Sequence, residues 1–308
     1  MRWIFSTLAL LGAIALSFSR RLAAGTDGGY VYSAPIEPSF RDLAYADKSP
    51  SERLDLYVPT REKERAPLVI WIHGGAFLVG DKKSMPRRNF GPPPVQRGPM
   101  GPFQIQVPDV AALVAKGYAV VSLNYRLEGG FRQGNVLGVV HATQDAKAAV
   151  RFLRANALKY GLDPARFAVW GNSAGGYMAT MLGLTGDRHS VFDEGALGNA
   201  GVSSAVQAVV VWYGAVAVQG TYFPEYVRMS SYLLAGQTYP PFLIANGDAD
   251  LNVSLADAEA MQSLFLQAGV KSTLTVVPEA KHEDPAFMKT QMLPTFDFLD
   301  RVFGRSKE

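Results

Sequence analysis

The chain contains no cysteine in its 308 residues. Disulfides, thiolate zinc sites, a cysteine nucleophile and a lipid anchor on an amino-terminal cysteine are therefore excluded together, and the redox state of the compartment leaves no trace. Charge is also sparse, with 30 Lys and Arg against 27 Asp and Glu for a net +3. These cations are scattered rather than gathered into a stripe interleaved with aromatics, so nucleic-acid binding has no footprint. Histidine is limited to His73, His141, His189 and His282. No internal repeat is visible, which sets aside solenoids and propellers.

Apolar residues are plentiful at 48% of positions, enough to bury one large core, and one domain of this length is expected if the fold is α/β. At the amino terminus, Arg2 precedes an uncharged run from Trp3 to Ser19, and the small residues Ala23, Ala24 and Gly25 follow. That layout predicts a secretory signal peptide over residues 1–25 and export to the periplasm or medium. An anchor kept on the mature chain is the alternative. Arg20 and Arg21 follow the apolar run, whereas a twin-arginine signal carries its pair before it. Residues 26–308 are read as a single domain.

Short apolar runs recur at Leu68 to Ile72, Ala119 to Leu123, Phe167 to Trp170, Val206 to Trp212, Phe242 to Ala245 and Thr273 to Val277. Continuous runs of this kind predict strands of a buried, mostly parallel sheet. Between them, Ala146, Ala149, Val150, Leu153 and Ala157 share one helical face, with Lys147, Arg151 and Arg154 elsewhere, and the pattern stops at Gly161 before Pro164. Further helices are expected to start from Gly171-Asn172-Ser173 and to run from Leu255 to Gln267 with Ser254 as its cap. The alternation reads as α/β, a mostly parallel sheet with helices on both faces. Residues 85–108 are dense in Pro and Gly and too irregular for a helix or a central strand. A flap at the entrance of a site is slightly favoured over an idle surface excursion.

Gly171-Asn172-Ser173-Ala174-Gly175 follows an apolar strand and opens onto an apolar, helix-prone stretch, the context a serine nucleophile on a tight strand-to-helix turn requires. Independently, His73-Gly74-Gly75-Ala76-Phe77 closes the strand Leu68 to Ile72. Backbone N–H groups near Gly74, Gly75 and Ala76, with that of Ala174, are candidate donors to the oxyanion of a tetrahedral intermediate. His73 is read as holding the loop. His282 is the candidate base, being the one histidine that follows both the serine and a plausible acid in a strand-end turn. The acid loop Gly247-Asp248-Ala249-Asp250-Leu251-Asn252-Val253 offers two carboxylates, and either could orient an imidazole. Its spacing imitates part of a calcium loop, but Val253 stands where that loop needs glycine, so calcium is rejected.

From about Leu54 to Phe303 the chain resembles the α/β-hydrolase superfamily, near the hormone-sensitive-lipase-like carboxylesterases and the bifunctional feruloyl/acetyl-xylan esterases. The resemblance is carried by Leu54-Asp55-Leu56-Tyr57-Val58-Pro59, the His73 loop, Asn124-Tyr125-Arg126-Leu127 and Gly171-Asn172-Ser173-Ala174-Gly175-Gly176. It implies that Asp250, placed between Gly247 and Val253, is the acid, and that His282 is the base. It also implies acyl transfer to Ser173 and hydrolysis of a small-molecule or polysaccharide-linked ester, with no metal or organic cofactor. Gly214-Ala215-Val216-Ala217 departs from the group, which commonly has Gly-Pro and an acidic residue there, so a pocket wall is expected to differ. Formamide hydrolysis of the kynurenine-formamidase type is the nearest alternative. A peptidase of the prolyl-oligopeptidase type lacks room for its propeller, and a binding protein on a hydrolase scaffold would have lost triad residues that are present here.

Overall fold

The computed structural model describes residues 30–60, 64–84, 96–98, 101–103, 107–218 and 223–305, so the leader expected over 1–25 lies outside the described residues. Strands are β1 (Phe40–Ala44), β2 (Arg53–Tyr57), β3 (Ala66–Ile72), β4 (Gln96–Gly98), β5 (Gly101–Phe103), β6 (Ala119–Leu123), β7 (Leu162–Asn172), β8 (Ala208–Trp212), β9 (Phe242–Gly247) and β10 (Ser272–Val277). Helices are α1 (Val110–Ala115), α2 (Val136–Ala155), α3 (Ala174–Thr185), α4 (Leu255–Gln267) and α5 (Ala286–Val302).

Eight strands form one sheet in the order β1-β2-β6-β3-β7-β8-β9-β10. The pairings from β6 through β10 are parallel, while β1 and β2 run antiparallel at one edge. Both faces are covered, which is why the central strands are apolar without alternation. Along β3, Leu68, Ile70 and Ile72 enter a core with residues of α2, α3 and α4, whereas Val69 and Trp71 enter a second core with residues of α1 and α5. Helix α3 is buried along its whole length and carries no charged residue, as a helix enclosed on all sides must.

Helix α4 spans the expected residues, and the Ser254 side chain accepts from the Asp257 N–H at its start. Helix α2 begins earlier than the apolar stripe suggested, at Val136, where the Asn135 side chain accepts from the Gly138 N–H. The three cations read as lying off its apolar face are not left to solvent. Lys147 is fully buried, pairs with Asp193 at 2.5 Å and donates to Thr185 Oγ1 at 3.3 Å. Arg151 donates to the Leu197 carbonyl at 2.6 Å, and Arg154 to the carbonyls of Ser203 and Ala205 at 2.5 and 2.6 Å. The segment 187–205 thus covers this face and supplies acceptors, which helical periodicity cannot reveal.

Helix α5 was not read from the sequence, and Pro294 inside it breaks the expected pattern. Within the Pro/Gly-rich stretch, β4 and β5 pair as an antiparallel ribbon apart from the main sheet. Its other residues, 107 and 108 excepted, lie outside the described ones.

Burial pushes the Lys147 ammonium below its ordinary range, and Asp193 opposes that shift. Asp193→Ala is expected to lower the unfolding free energy by about 2 kcal/mol, the scale for taking a charged hydrogen-bond partner from the buried Lys147 while Asp193 itself is partly exposed. Urea unfolding with an unchanged slope would register it as a shifted midpoint.

Candidate active site

Ser173 joins β7 to α3 with φ 52° and ψ −122°, a conformation L-residues rarely adopt. Such backbone costs about 1–3 kcal/mol and persists only where its surroundings enforce it. The enforcement is visible at Gly175, where a Cβ would lie 2.0 Å from the Ile72 carbonyl oxygen. Only glycine lets the start of α3 press this closely on the end of β3. The Ser173 N–H donates to the Trp212 carbonyl at 3.1 Å, tying the turn to β8. Ala174 opens α3, and the first N–H groups of a helix have no intrahelical acceptor.

Ser173 Oγ lies 2.9 Å from His282 Nε2, and His282 Nδ1 lies 2.7 Å from Asp250 Oδ2. The other oxygen, Asp250 Oδ1, accepts the N–H groups of Asn252 at 2.8 Å and Val253 at 2.9 Å, so the buried carboxylate is fixed at both ends. With Nδ1 donating to Asp250, Nε2 is the nitrogen open to the serine proton. Asp248, the other carboxylate of that loop, instead accepts the Glu279 N–H at 2.6 Å and ties the acid turn to the loop bearing His282. His141 bonds Glu128, away from this chain of contacts.

The loop after β3 has three successive residues at positive φ: Gly75 at 108°, Ala76 at 54° and Phe77 at 61°. A Cβ at Gly75 would lie 2.0 Å from the Val79 carbonyl oxygen. The Gly75 carbonyl accepts the N–H groups of Leu78 and Val79, each at 3.0 Å. Gly74 backs directly onto Ser173, and Ala76 and Ala174 line one cavity of about 170 Å³ together with Ser173 and His282. His73 braces this loop: its Nδ1 is 2.7 Å from the Gly74 carbonyl and its ring stacks on Tyr125 with centroids 4.4 Å apart. Burial pushes the His73 imidazole down to about 4, so it is neutral at physiological pH and Nδ1–H is the donor.

Phe131, Arg132, Phe223, Tyr213 and Glu283 went unnoticed in the sequence, whereas Phe77, Val216 and Asn252 stand in stretches already read there, and Val216 falls where a pocket wall was expected to differ. Phe77, Phe131 and Phe223 give the cavity aromatic walls, Val216 lies on it within the departing Gly214–Ala217 stretch, and Arg132 and Asn252 add polar groups. Tyr213, just beyond β8, presents its ring edge-on to His282 with centroids 5.1 Å apart, and its hydroxyl accepts from Asn172 Nδ2 at 3.1 Å. Glu283 is buried beside His282 with φ 59°. Burial pushes its carboxyl up to about 7, with the Asp250 charge adding and His282 opposing. Adjacency to a strand end or to the histidine was the available signal for Tyr213 and Glu283. Their meaning depends on three loops meeting.

The sheet order and the strained serine between β7 and α3 define an α/β hydrolase fold. Residues 54–93 and 102–226 match the BD-FAE family, and the chain belongs to that family of α/β-hydrolase esterases. It is 23% identical over 296 residues to "Esterase LipQ" of Mycobacterium tuberculosis, covering 86% of this chain and 62% of that protein. Against "Isoprenylcysteine alpha-carbonyl methylesterase ICME" of Arabidopsis thaliana it is 22% identical, covering 92% and 64%. The chain thus spans less than two thirds of the length of these curated relatives. Among solved structures, a truncated carbohydrate esterase from gut microbiota is 25% identical with a TM-score of 0.67, covering 90% of this chain and 100% of that one. The propionate-bound esterase Est2 of Thermogutta terrifontis is 20% identical with a TM-score of 0.63, covering 86% and 95%. These findings agree with the resemblance read from the motifs.

Glu283 has a consequence for stability. The folded chain holds its proton up to about pH 7, whereas an ordinary glutamate releases it near 4.5, so the folded state binds more protons within that window. Stability is therefore expected to fall as pH rises from 4.5 to about 7, by about 3 kcal/mol from this group. Glu283→Gln, which cannot ionise, is expected to flatten that fall in urea titrations at about pH 5 and about pH 8.

Proposed function

We propose that the protein hydrolyses carboxylic esters through an acyl-enzyme on Ser173. The reading is carried by the hydrogen-bonded chain from Ser173 through His282 to Asp250, opening into the cavity that Ala76 and Ala174 line. Ser173 Oγ attacks the ester carbonyl while His282 Nε2 takes its proton, and Asp250 orients the imidazole and stabilises its charged form. The N–H groups of Ala174 and of the Gly74–Ala76 loop receive the oxyanion, each such donor contributing about 2.7–4 kcal/mol in the transition state. His282 then protonates the departing alcohol. Water deprotonated by the same nitrogen releases the acid and restores the serine.

A cavity of about 170 Å³ is smaller than the roughly 300–1,000 Å³ of sites for drug-sized ligands. It suits a short acyl group or a single aryl ring, with the rest of the substrate outside. Acetyl or hydroxycinnamoyl groups on small alcohols or on polysaccharide fit that description, and one structural neighbour bears the name carbohydrate esterase. Export belongs to the same reading, supported by the charged, apolar and small-residue order of residues 1–25.

Ser173→Ala is expected to cut turnover of a short aryl ester by at least about 10⁴-fold with an unchanged circular dichroism spectrum. Wild-type activity in that variant would overturn the mechanism. A panel of aryl acetates, longer acyl esters, methyl ferulate, acetylated xylan and N-formylkynurenine is expected to favour the short and single-ring esters. Preference for the formamide would replace the ester reading.

A further inference from the structure

The cavity beside Ser173 is mostly apolar, yet its solvent side carries a guanidinium. Arg132 lines that cavity and is exposed. Its Nη2 donates to Asn252 Oδ1 at 2.9 Å, linking the turn before α2 to the turn that holds Asp250. The backbone that carries Arg132 is fixed from within. The neighbouring Phe131 ring packs edge-on against Phe77 and Tyr177 and tilted against Phe223, with centroids 6.0, 5.3 and 4.7 Å away. The Gly130 N–H donates to Gln133 Oε1 at 3.0 Å, closing the same short turn.

A guanidinium held at both its backbone and its tip has lost much of its rotational freedom before any ligand arrives. Its planar fork of N–H donors matches a carboxylate, which it can take in a bidentate arrangement. An apolar wall with a tethered cation at the mouth therefore suits an amphipathic ligand, apolar at the buried end and anionic at the wet end. A cation serving only solubility would need no tether to the acid turn.

We propose that Arg132, braced by Asn252, forms a carboxylate-binding subsite, so that the preferred ester carries an ionised carboxylate on the part reaching the cavity mouth. The proposal rests on the ester-hydrolase reading of Ser173. Two substrate pairs distinguish whether the carboxylate lies on the acid or the alcohol half. The first is mono-para-nitrophenyl succinate against its methyl ester; the second is para-acetoxybenzoate against its methyl ester.

In at least one pair, wild-type kcat/KM is expected to favour the acid by about tenfold, the difference residing in KM. Raising the salt concentration shrinks that ratio, because the contact is partly exposed. Arg132→Gln brings the ratio to about one, and Arg132→Glu inverts it. A wild-type ratio near one in both pairs would overturn the subsite while leaving the hydrolase reading intact. So would an equal loss on acid and methyl ester in Arg132→Gln, which marks a merely structural role. If the wild type cleaves none of the esters, the hydrolase reading fails. Calorimetry of para-acetoxybenzoate on Ser173→Ala, with and without Arg132→Gln, then decides the subsite by itself: weaker binding in the double variant supports it, and equal binding overturns it.

Discussion

The arrangement of the site depends on one close approach, that of the first turn of α3 against the last residues of β3. At Gly175 there is no space for a side chain, because the Ile72 carbonyl already occupies it. That contact holds Ser173 in its left-handed backbone and sets the residue beside the Gly74 loop. The carboxyl ends of two neighbouring strands, β3 and β7, are thereby locked together. The strands that follow need only deliver their loops to the same edge. β9 brings the acid turn, and the loop after β10 brings His282.

The electrostatics divide two carboxyl groups that lie close together. Asp250 is buried but receives two backbone N–H groups and an imidazole, so its negative charge is matched by donors aimed at it. Glu283 is buried beside it, where the Asp250 charge works against a second anion. The site thus carries a held anion and a neighbouring acid that keeps its proton towards neutrality. For Glu283 the main cause is burial, a property of how the loops pack rather than of residue type.

Much of this was legible in the sequence because the chemistry is carried by short stretches. Strand β6 and helix α4 stand where their apolar runs and the Ser254 cap placed them, and β3, β8, β9 and β10 differ only at their ends. The serine turn and the glycine loop announced themselves by backbone needs that few residues can meet. What escaped depends on contacts between distant segments. Lys147 is buried because segment 187–205 folds over it, and α5 tolerates Pro294 within a packed helix. Between Asp248 and Asp250 the residues alone left a choice, since both are short carboxylates in one turn. The structure sends Asp248 to a backbone N–H and Asp250 to the imidazole. Tyr213 and Glu283 were signalled only by their neighbours in the chain, and their meaning waits on which loops meet.

The acid turn also has a second occupation. Asp250 faces the imidazole, and Asn252, two residues on, reaches across to Arg132 at the cavity mouth. The backbone N–H of Asn252 is itself one of the donors holding Asp250. A lineage that remodels the mouth through this turn therefore disturbs the donors that hold Asp250 at the same time. The opposite bank, the turn of Phe131 and Arg132, meets this turn at the Asn252 side chain rather than at the backbone N–H groups that hold Asp250. Divergence in substrate preference has a freer path there, and the two banks of one cleft are unequal as ground for evolution.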